Sequence, residues 1–89
     1  MRAIFQTGQF KKDFKRMKKR GKDLNKLKEV VSAIANSETL PDRHGDHALS
    51  GNWSGSRDCH IEPDWILVYR VDEEHLFLER TGSHSDLFR

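Results

Sequence analysis

With 89 residues and 10.4 kDa, the chain has room for one domain spanning residues 1–89, and 35% hydrophobic against 34% charged residues leave it a lean core. A second domain, a dinucleotide-binding fold and a large internal cavity are excluded at this size. The net charge of +2 hides a division, because residues 1–36 hold 11 Lys and Arg against 3 acids (11 − 3 = +8), whereas residues 37–89 hold 5 against 11 (5 − 11 = −6). All eight lysines lie at or before Lys28 and all five histidines at or after His44. Such asymmetry fits a polyanion-facing patch on one part of the fold; a solvated helical face that uses Lys as its exposed residue gives the same count. No run approaches the ~18–20 apolar residues of a membrane span. Met1-Arg2-Ala3-Ile4-Phe5-Gln6 lacks the long apolar stretch of a secretory signal. A lone Cys59 has no intramolecular disulfide partner, so a cytoplasmic, reducing location with no membrane association is expected.

Taken in chain order, residues 2–6 read as a short strand ended by Thr7-Gly8. Phe10, Phe14 and Met17 recur at helical spacing among Lys and Arg, which predicts a helix over 9–20. Gly21 suits its C-terminal cap and Asp23 the next N-cap. Leu24, Leu27, Val30, Val31 and Ile34 then form one stripe, predicting a second helix over 24–36 and an αα-hairpin with one apolar and one basic face. A loop rich in turn formers runs from Asn36 to about Ser54. The period changes at Ser56–Glu62, where alternation sends Arg57, Cys59 and Ile61 one way and Asp58, His60 and Glu62 the other. Pro63-Asp64 break this strand. Trp65–Val71 is apolar on both faces, as a covered central strand would be. A turn over 71–75 leads to a strand at 76–80, with Thr81-Gly82-Ser83 closing it and a tail over 84–89. The order β-α-α-β-β-β predicts an α+β fold: an N-terminal strand, an αα-hairpin and a three-stranded antiparallel meander, the helices packed on one sheet face.

Chemically suggestive side chains cluster late: Asp46, His47, His60, Glu62, Asp64, Arg80 and His84. In an antiparallel meander the end of the first strand, the start of the second and the end of the third share one edge. That edge should therefore gather His60 and Asp64 with Arg80 and His84, and His47 enters from the preceding loop. Cutting RNA without a metal needs a base for the 2′-hydroxyl, an acid for the leaving 5′-oxygen and a cation for charge developing on phosphorus. Histidine titrates near ~6.5 and serves as base or acid at neutral pH. Arginine stays charged and grips two phosphate oxygens at once. Trp53, Trp65, Tyr69 and Phe88 offer rings for unpaired bases. Plainer readings compete. His44 and His75 fit structural or surface roles, Arg80 has Glu79 and Asp64 as ion-pair partners, Trp65 fits the core, and Phe88 can plug it. A zinc site from His44, His47, Cys59 and His60 matches no standard spacing, and Cys59 points away from His60, so neither a metal nor a cofactor is expected.

At these residues the chain resembles the YafQ branch of the RelE/ParE toxin superfamily. The likeness rests on Asp46–Trp53, on Arg57–Leu67 with its His-x-Glu-Pro-Asp-Trp core, on Glu79–Phe88 with Glu-Arg-Thr-Gly-x-His, and on Asp23–Lys28. The resemblance implies the toxin of a bacterial type II toxin–antitoxin pair, a ribosome-dependent mRNA endoribonuclease acting on the codon in the 30S A site. By motif, His47, His60, Asp64, Arg80 and His84 match catalytic positions, and Trp65 and Phe88 the substrate pocket. His84 would be the general acid, with Asp64 or a neighbouring histidine as base. Arg80 would stabilise the transition state, and His47 and His60 would position phosphate and share proton transfer. The products would be a 2′,3′-cyclic phosphate and a 5′-hydroxyl. Lys18, Lys19, Arg20 and Lys22 would meet rRNA phosphates. A cognate antitoxin whose flexible segment wraps the toxin is implied as partner, with operator DNA met only through it. Ser56 departs from the family, which often has an aromatic there. A ParE-like gyrase inhibitor and a noncatalytic nucleic-acid- or protein-binding module are the alternative functions.

Overall fold

The computed structural model describes residues 1–88. Strand β1 (Ala3–Gln6) leads into helix α1 (Gly8–Lys19), whose first turn is capped by the Thr7 hydroxyl accepting from the Phe10 amide at 3.0 Å. Gly21, at φ +78°, takes the left-handed turn that stops the helix. Asp23 then caps helix α2 (Leu24–Ala35) by accepting from the Asn25 amide at 3.0 Å. Strands β2 (His47–Ala48), β3 (Arg57–Glu62), β4 (Trp65–Val71) and β5 (His75–Gly82) follow, and helix α3 (His84–Leu87) closes the described chain.

The five strands lie in the order β1-β5-β4-β3-β2. β3, β4 and β5 form the expected antiparallel meander, and β1 joins its edge parallel to β5, with Ala3 opposite His75 and Gln6 opposite Leu78. The α+β class and the helix-on-sheet arrangement follow the reading of the sequence. Three details differ. The loop over 36–54 supplies the two-residue strand β2 and two short 3₁₀ turns, Asp42–His44 and Gly51–Trp53. β5 runs through Gly82, past the expected end. The tail forms α3, and Arg89 lies outside the described residues.

Helices α1 and α2 cover one sheet face. Phe10, Met17, Leu27, Val30 and Ile34 pack there against Cys59, Trp65, Leu67, Tyr69, Leu76 and Leu78. The Trp65 indole N–H, inside this core, donates to Thr81 Oγ1 at 2.9 Å, and the Thr81 hydroxyl donates to the Ile66 carbonyl at 2.8 Å, so neither polar group is buried without a partner. On the opposite face a smaller cluster of Ile66, Val68 and Leu87 is flanked by Leu49 and Trp53. That second face carries the polar chemistry.

Candidate active site

Asp58 and His60 of β3 and Ile66 and Val68 of β4 face away from α1 and α2, as alternation requires. In register across the sheet, His47, Asp58, Val68 and Arg80 form one row, and His60, Ile66 and Gly82 form the next. Rows two residues apart along a strand are about 7 Å apart. The apolar floor of Ile66 and Val68 is therefore rimmed by imidazoles, a carboxylate and a guanidinium.

The corner from β5 into α3 places His84. Gly82 allows it, because a Cβ at this position would stand 2.9 Å from Asp86 Oδ2. Ser83 and Asp86 form a capping box, the Ser83 amide donating to Asp86 Oδ2 at 2.9 Å. His84 thereby meets the β3–β4 turn: its amide donates to Asp64 Oδ1 at 3.0 Å, and its Nδ1 lies 2.7 Å from the same oxygen. Those contacts, the backbone one first, hold the Asp64 carboxyl below the usual carboxylate range. An ionised carboxylate only accepts, so Nδ1 carries a proton, and Nε2 is the ring nitrogen that Asp64 does not engage. The His60 ring lies 5.5 Å from the His84 ring, centroid to centroid, and the Phe88 ring lies 6.4 Å from it. Phe88 also meets Trp53 edge-on at 6.1 Å.

His60 is fixed from below and from the side. Buried His44 presses Nδ1 to the His60 carbonyl at 2.5 Å, which makes His44 the structural residue its sequence context suggested. Gly45, at φ +53°, lets the incoming loop pass beside the ring; a Cβ there would stand 3.4 Å from His60 Nδ1. His47 keeps Nδ1 2.8 Å from the Gly45 carbonyl and Nε2 3.1 Å from Asp58 Oδ1. Asp58 is buried, and no aligned hydrogen-bond donor reaches that oxygen among the described residues. Burial pushes its carboxyl pKa up, against the pull of His47, His60 and His84.

Arg80 occupies its expected row but not with the expected partners. Its Nε donates to Asp13 Oδ2 at 2.7 Å and its Nη2 to Asp13 Oδ1 at 3.2 Å, so neither Glu79 nor Asp64 is its counter-ion. The hydrogen bond to Asp13 is the main reason the guanidinium pKa is raised.

His60, Asp64, His84 and Phe88 are thus brought together, with His47 and Arg80 one row away. Other candidates are placed differently. Trp65 is fully buried on the helix side and hydrogen-bonded to Thr81. Tyr69 is also buried and donates its hydroxyl to Asp46 Oδ1 at 2.6 Å, which removes both groups from the site. Glu62 turns to the helices because a bulge between His60 and Glu62 sets it opposite Trp65, where Lys22 and Lys26 hold it at 3.1 and 2.9 Å. Lys22 is therefore spent within the protein. So is Arg20, whose two terminal nitrogens donate to Asp86 at 2.6 and 3.1 Å. These bonds dock the turn between α1 and α2 against α3 and the β3–β4 turn. Lys18 and Lys19, in the last turn of α1, are exposed and without an ion pair among the described residues. Cys59 lies in the helix-side core, its thiol pushed up to about 12 by burial, on the opposite face from His60. Ser56, the departure from the family pattern, is buried and donates to Glu79 Oε1 at 2.5 Å, so a polar contact stands where an aromatic would.

Two acids escaped the reading of the sequence. Alternation gives Asp58 a face and nothing more. Asp13 sat in a Lys-rich stretch, yet its position between Phe10 and Met17 puts it on the apolar stripe, and a lone acid on a buried stripe is the signal that identifies it.

A sheet face with two neighbouring imidazoles, an orienting carboxylate and a braced arginine, backed on its other side by a basic helical hairpin, is shared with a known class of proteins. The family described as bacterial toxin of type II toxin–antitoxin system, YafQ, matches residues 2–89. The mRNA interferase toxin YafQ of Escherichia coli K12 is 48% identical over 88 residues, 98% of this chain and 96% of that one. The crystal structure of YafQ from E. coli BL21(DE3) superposes with a TM-score of 0.94 at 46% identity over the full length of both chains. The toxin of the E. coli DinJ–YafQ toxin–antitoxin complex does so at 0.91 and 47%, covering 99% of this chain and 98% of that one. The protein is a toxin of a bacterial type II toxin–antitoxin system. Within that class it belongs to the YafQ family.

Proposed function

We propose that this chain is a ribosome-dependent endoribonuclease that cuts the mRNA codon in the 30S A site by acid–base transesterification, and that a cognate antitoxin silences it in the cytoplasm. The observation that carries the reading is the His84 imidazole oriented by Asp64 and set 5.5 Å from His60. A base takes the proton of the 2′-hydroxyl, the O2′–P bond forms, the P–O5′ bond breaks and an acid protonates O5′. His84, its Nδ1–H fixed on Asp64, is the acid in its doubly protonated form, giving the Nε2 proton to O5′ and returning to the neutral ring. His60 is the base, because Asp64 is engaged with His84. Each well-placed proton transfer contributes about 10²–10⁴-fold. Arg80 faces the charge growing on phosphorus, His47 positions phosphate, and Phe88 with Trp53 offers rings for a base. The products are a 2′,3′-cyclic phosphate and a 5′-hydroxyl, and the protein's own groups supply base, acid and cation. Lys18 and Lys19 support contact with rRNA phosphate, a salt-sensitive term. The E. coli relative forms a complex with DinJ; by analogy an acidic, flexible antitoxin segment complements the basic helices here and links the toxin to operator DNA.

The test is expression of the wild type and His84→Ala, with growth, cleavage of polysome-bound mRNA and DNA supercoiling as readouts. The wild type alone should cut mRNA and arrest growth while supercoiling stays unchanged. Equal toxicity of both without mRNA cuts removes the nuclease; altered supercoiling installs the gyrase alternative.

A further inference from the structure

The best-satisfied carboxylate among the described residues lies outside the proton-transfer set. Asp13 is fully buried on α1 and receives five hydrogen bonds: from Gln9 Nε2 at 3.2 Å, Arg16 Nη2 at 2.9 Å, Arg80 Nε at 2.7 Å, Arg80 Nη2 at 3.2 Å and the Thr81 amide at 3.2 Å. Its place is set by topology. β1 pairs with β5 only as far as Leu78, so beyond that residue the outer edge of β5 has no strand partner. α1 runs along this open edge, and Asp13 takes the Thr81 amide that a longer β1 would have bonded.

From this arrangement we infer that Asp13 is a positioning residue for catalysis: it fixes the Arg80 guanidinium so that the remaining Nη1 edge is presented to the scissile phosphate. The inference rests on the nuclease reading of the same site. Arginine has long side-chain freedom, and an unbraced guanidinium would sample many orientations over the open face. Two fork-like bonds to one carboxylate remove that freedom before substrate arrives, which is how preorganised electrostatic stabilisation acts. A carboxylate so near also cancels positive charge. The network corrects for this, because Asp13 is shared by Arg16 and Arg80, and Asp86 by Arg20 and, at 3.9 Å, Arg16. Three guanidinium groups against two carboxylates leave 3 − 2 = +1 at the rim. The brace therefore orders Arg80 without neutralising the cluster. Thr81 adds a second linkage: its amide is held by Asp13 and its hydroxyl by Trp65 and Ile66, so the strand position beside Arg80 is locked from both sides of the sheet.

The experiment is a double-mutant cycle on full-length toxin, measuring single-turnover cleavage of ribosome-bound mRNA and its dependence on ribosome concentration. Asp13→Asn should slow the saturated step by about ten- to a hundredfold, the scale of a misplaced catalytic group, with half-saturation little changed. In an Arg80→Ala background the same substitution should cost less than about twofold, since the two act as a unit. An equal loss in both backgrounds makes Asp13 merely structural and overturns the inference, as does a folded Asp13→Asn toxin at full speed. If Asp13→Asn does not fold, Arg80→Lys decides, because an ammonium cannot be gripped by Asp13 as a fork and reach phosphate as well. Loss comparable to Arg80→Ala supports the brace, and a wild-type rate overturns it. A wild type that cuts no mRNA would instead end the nuclease reading itself.

Discussion

The two faces of the sheet use the same strands for opposite ends. On the helix side Cys59, Trp65, Leu67, Tyr69, Leu76 and Leu78 close against Phe10, Met17, Leu27 and Val30, and the Trp65 indole and Thr81 hydroxyl there are satisfied internally. On the other side Ile66 and Val68 make a narrow floor, while His60 and His84 remain open and buried Asp58 keeps an oxygen without an aligned donor. The packed core lies on one face and the proposed chemistry on the other, so the candidate site can hold a titratable group without an aligned partner at no cost to the core.

Substitutions on the two faces should separate these properties. The largest effect is expected from His84→Ala, which should lower single-turnover mRNA cleavage by about 10²–10⁴-fold while thermal unfolding stays near wild type, because the side chain is exposed. Its counterpart is Trp65→Ala, which removes a fully buried ring and leaves Thr81 short of a donor. It should cost about 3–5 kcal/mol in denaturant titration, and any surviving folded fraction should cleave at the wild-type rate. A cleavage defect in stabilised, folded Trp65→Ala protein would break the division of labour. Asp64→Asn should give a smaller loss of rate than His84→Ala, because the ring remains but its Nδ1 proton is no longer held by a charge. Tautomer-sensitive NMR of His84 should report the change.

The smallest expected effect sharpens the boundary where helices meet site. Asp86 is held well below the usual carboxylate range, chiefly by its hydrogen bond from Arg20. A depressed folded-state pKa contributes stability that is whole above the unfolded value near ~3.9 and drains as pH falls from there through the folded one. The thermal-midpoint gap between wild type and Arg20→Ala should thus be constant from neutral pH to about 5 and close in stronger acid. A gap that widens on acidification would reverse the assignment.

Much of this was legible in the residues themselves. The stripes Phe10-Phe14-Met17 and Leu24-Leu27-Val30-Val31-Ile34 announce two helices, and alternation over 57–60 assigns Cys59 and His60 to opposite faces as found. What failed was what alternation cannot encode. The bulge before Glu62 shifts the count by one and turns that carboxylate to Lys22 and Lys26. α3 owes its single turn to a capping box and to Leu87 on Ile66 and Val68, too short a segment for periodicity. Within the site, His60, Asp64 and His84 followed from strand order. The Arg80 partner did not, since Asp13 is 67 residues away and reaches it only because β1 stops short of the end of β5.

That parallel pairing of β1 with β5 also sets a timetable. Thr7 and Glu79, joined by a hydrogen bond from the Thr7 hydroxyl to the Glu79 carbonyl, are 72 residues apart in the chain. Contacts of such separation close late and slowly, because the whole intervening loop must be ordered first. During synthesis the Asp13–Arg80 contact, spanning 67 residues, cannot form until nearly all of the strands have left the exit tunnel, so this corner of the molecule is among the last to take shape.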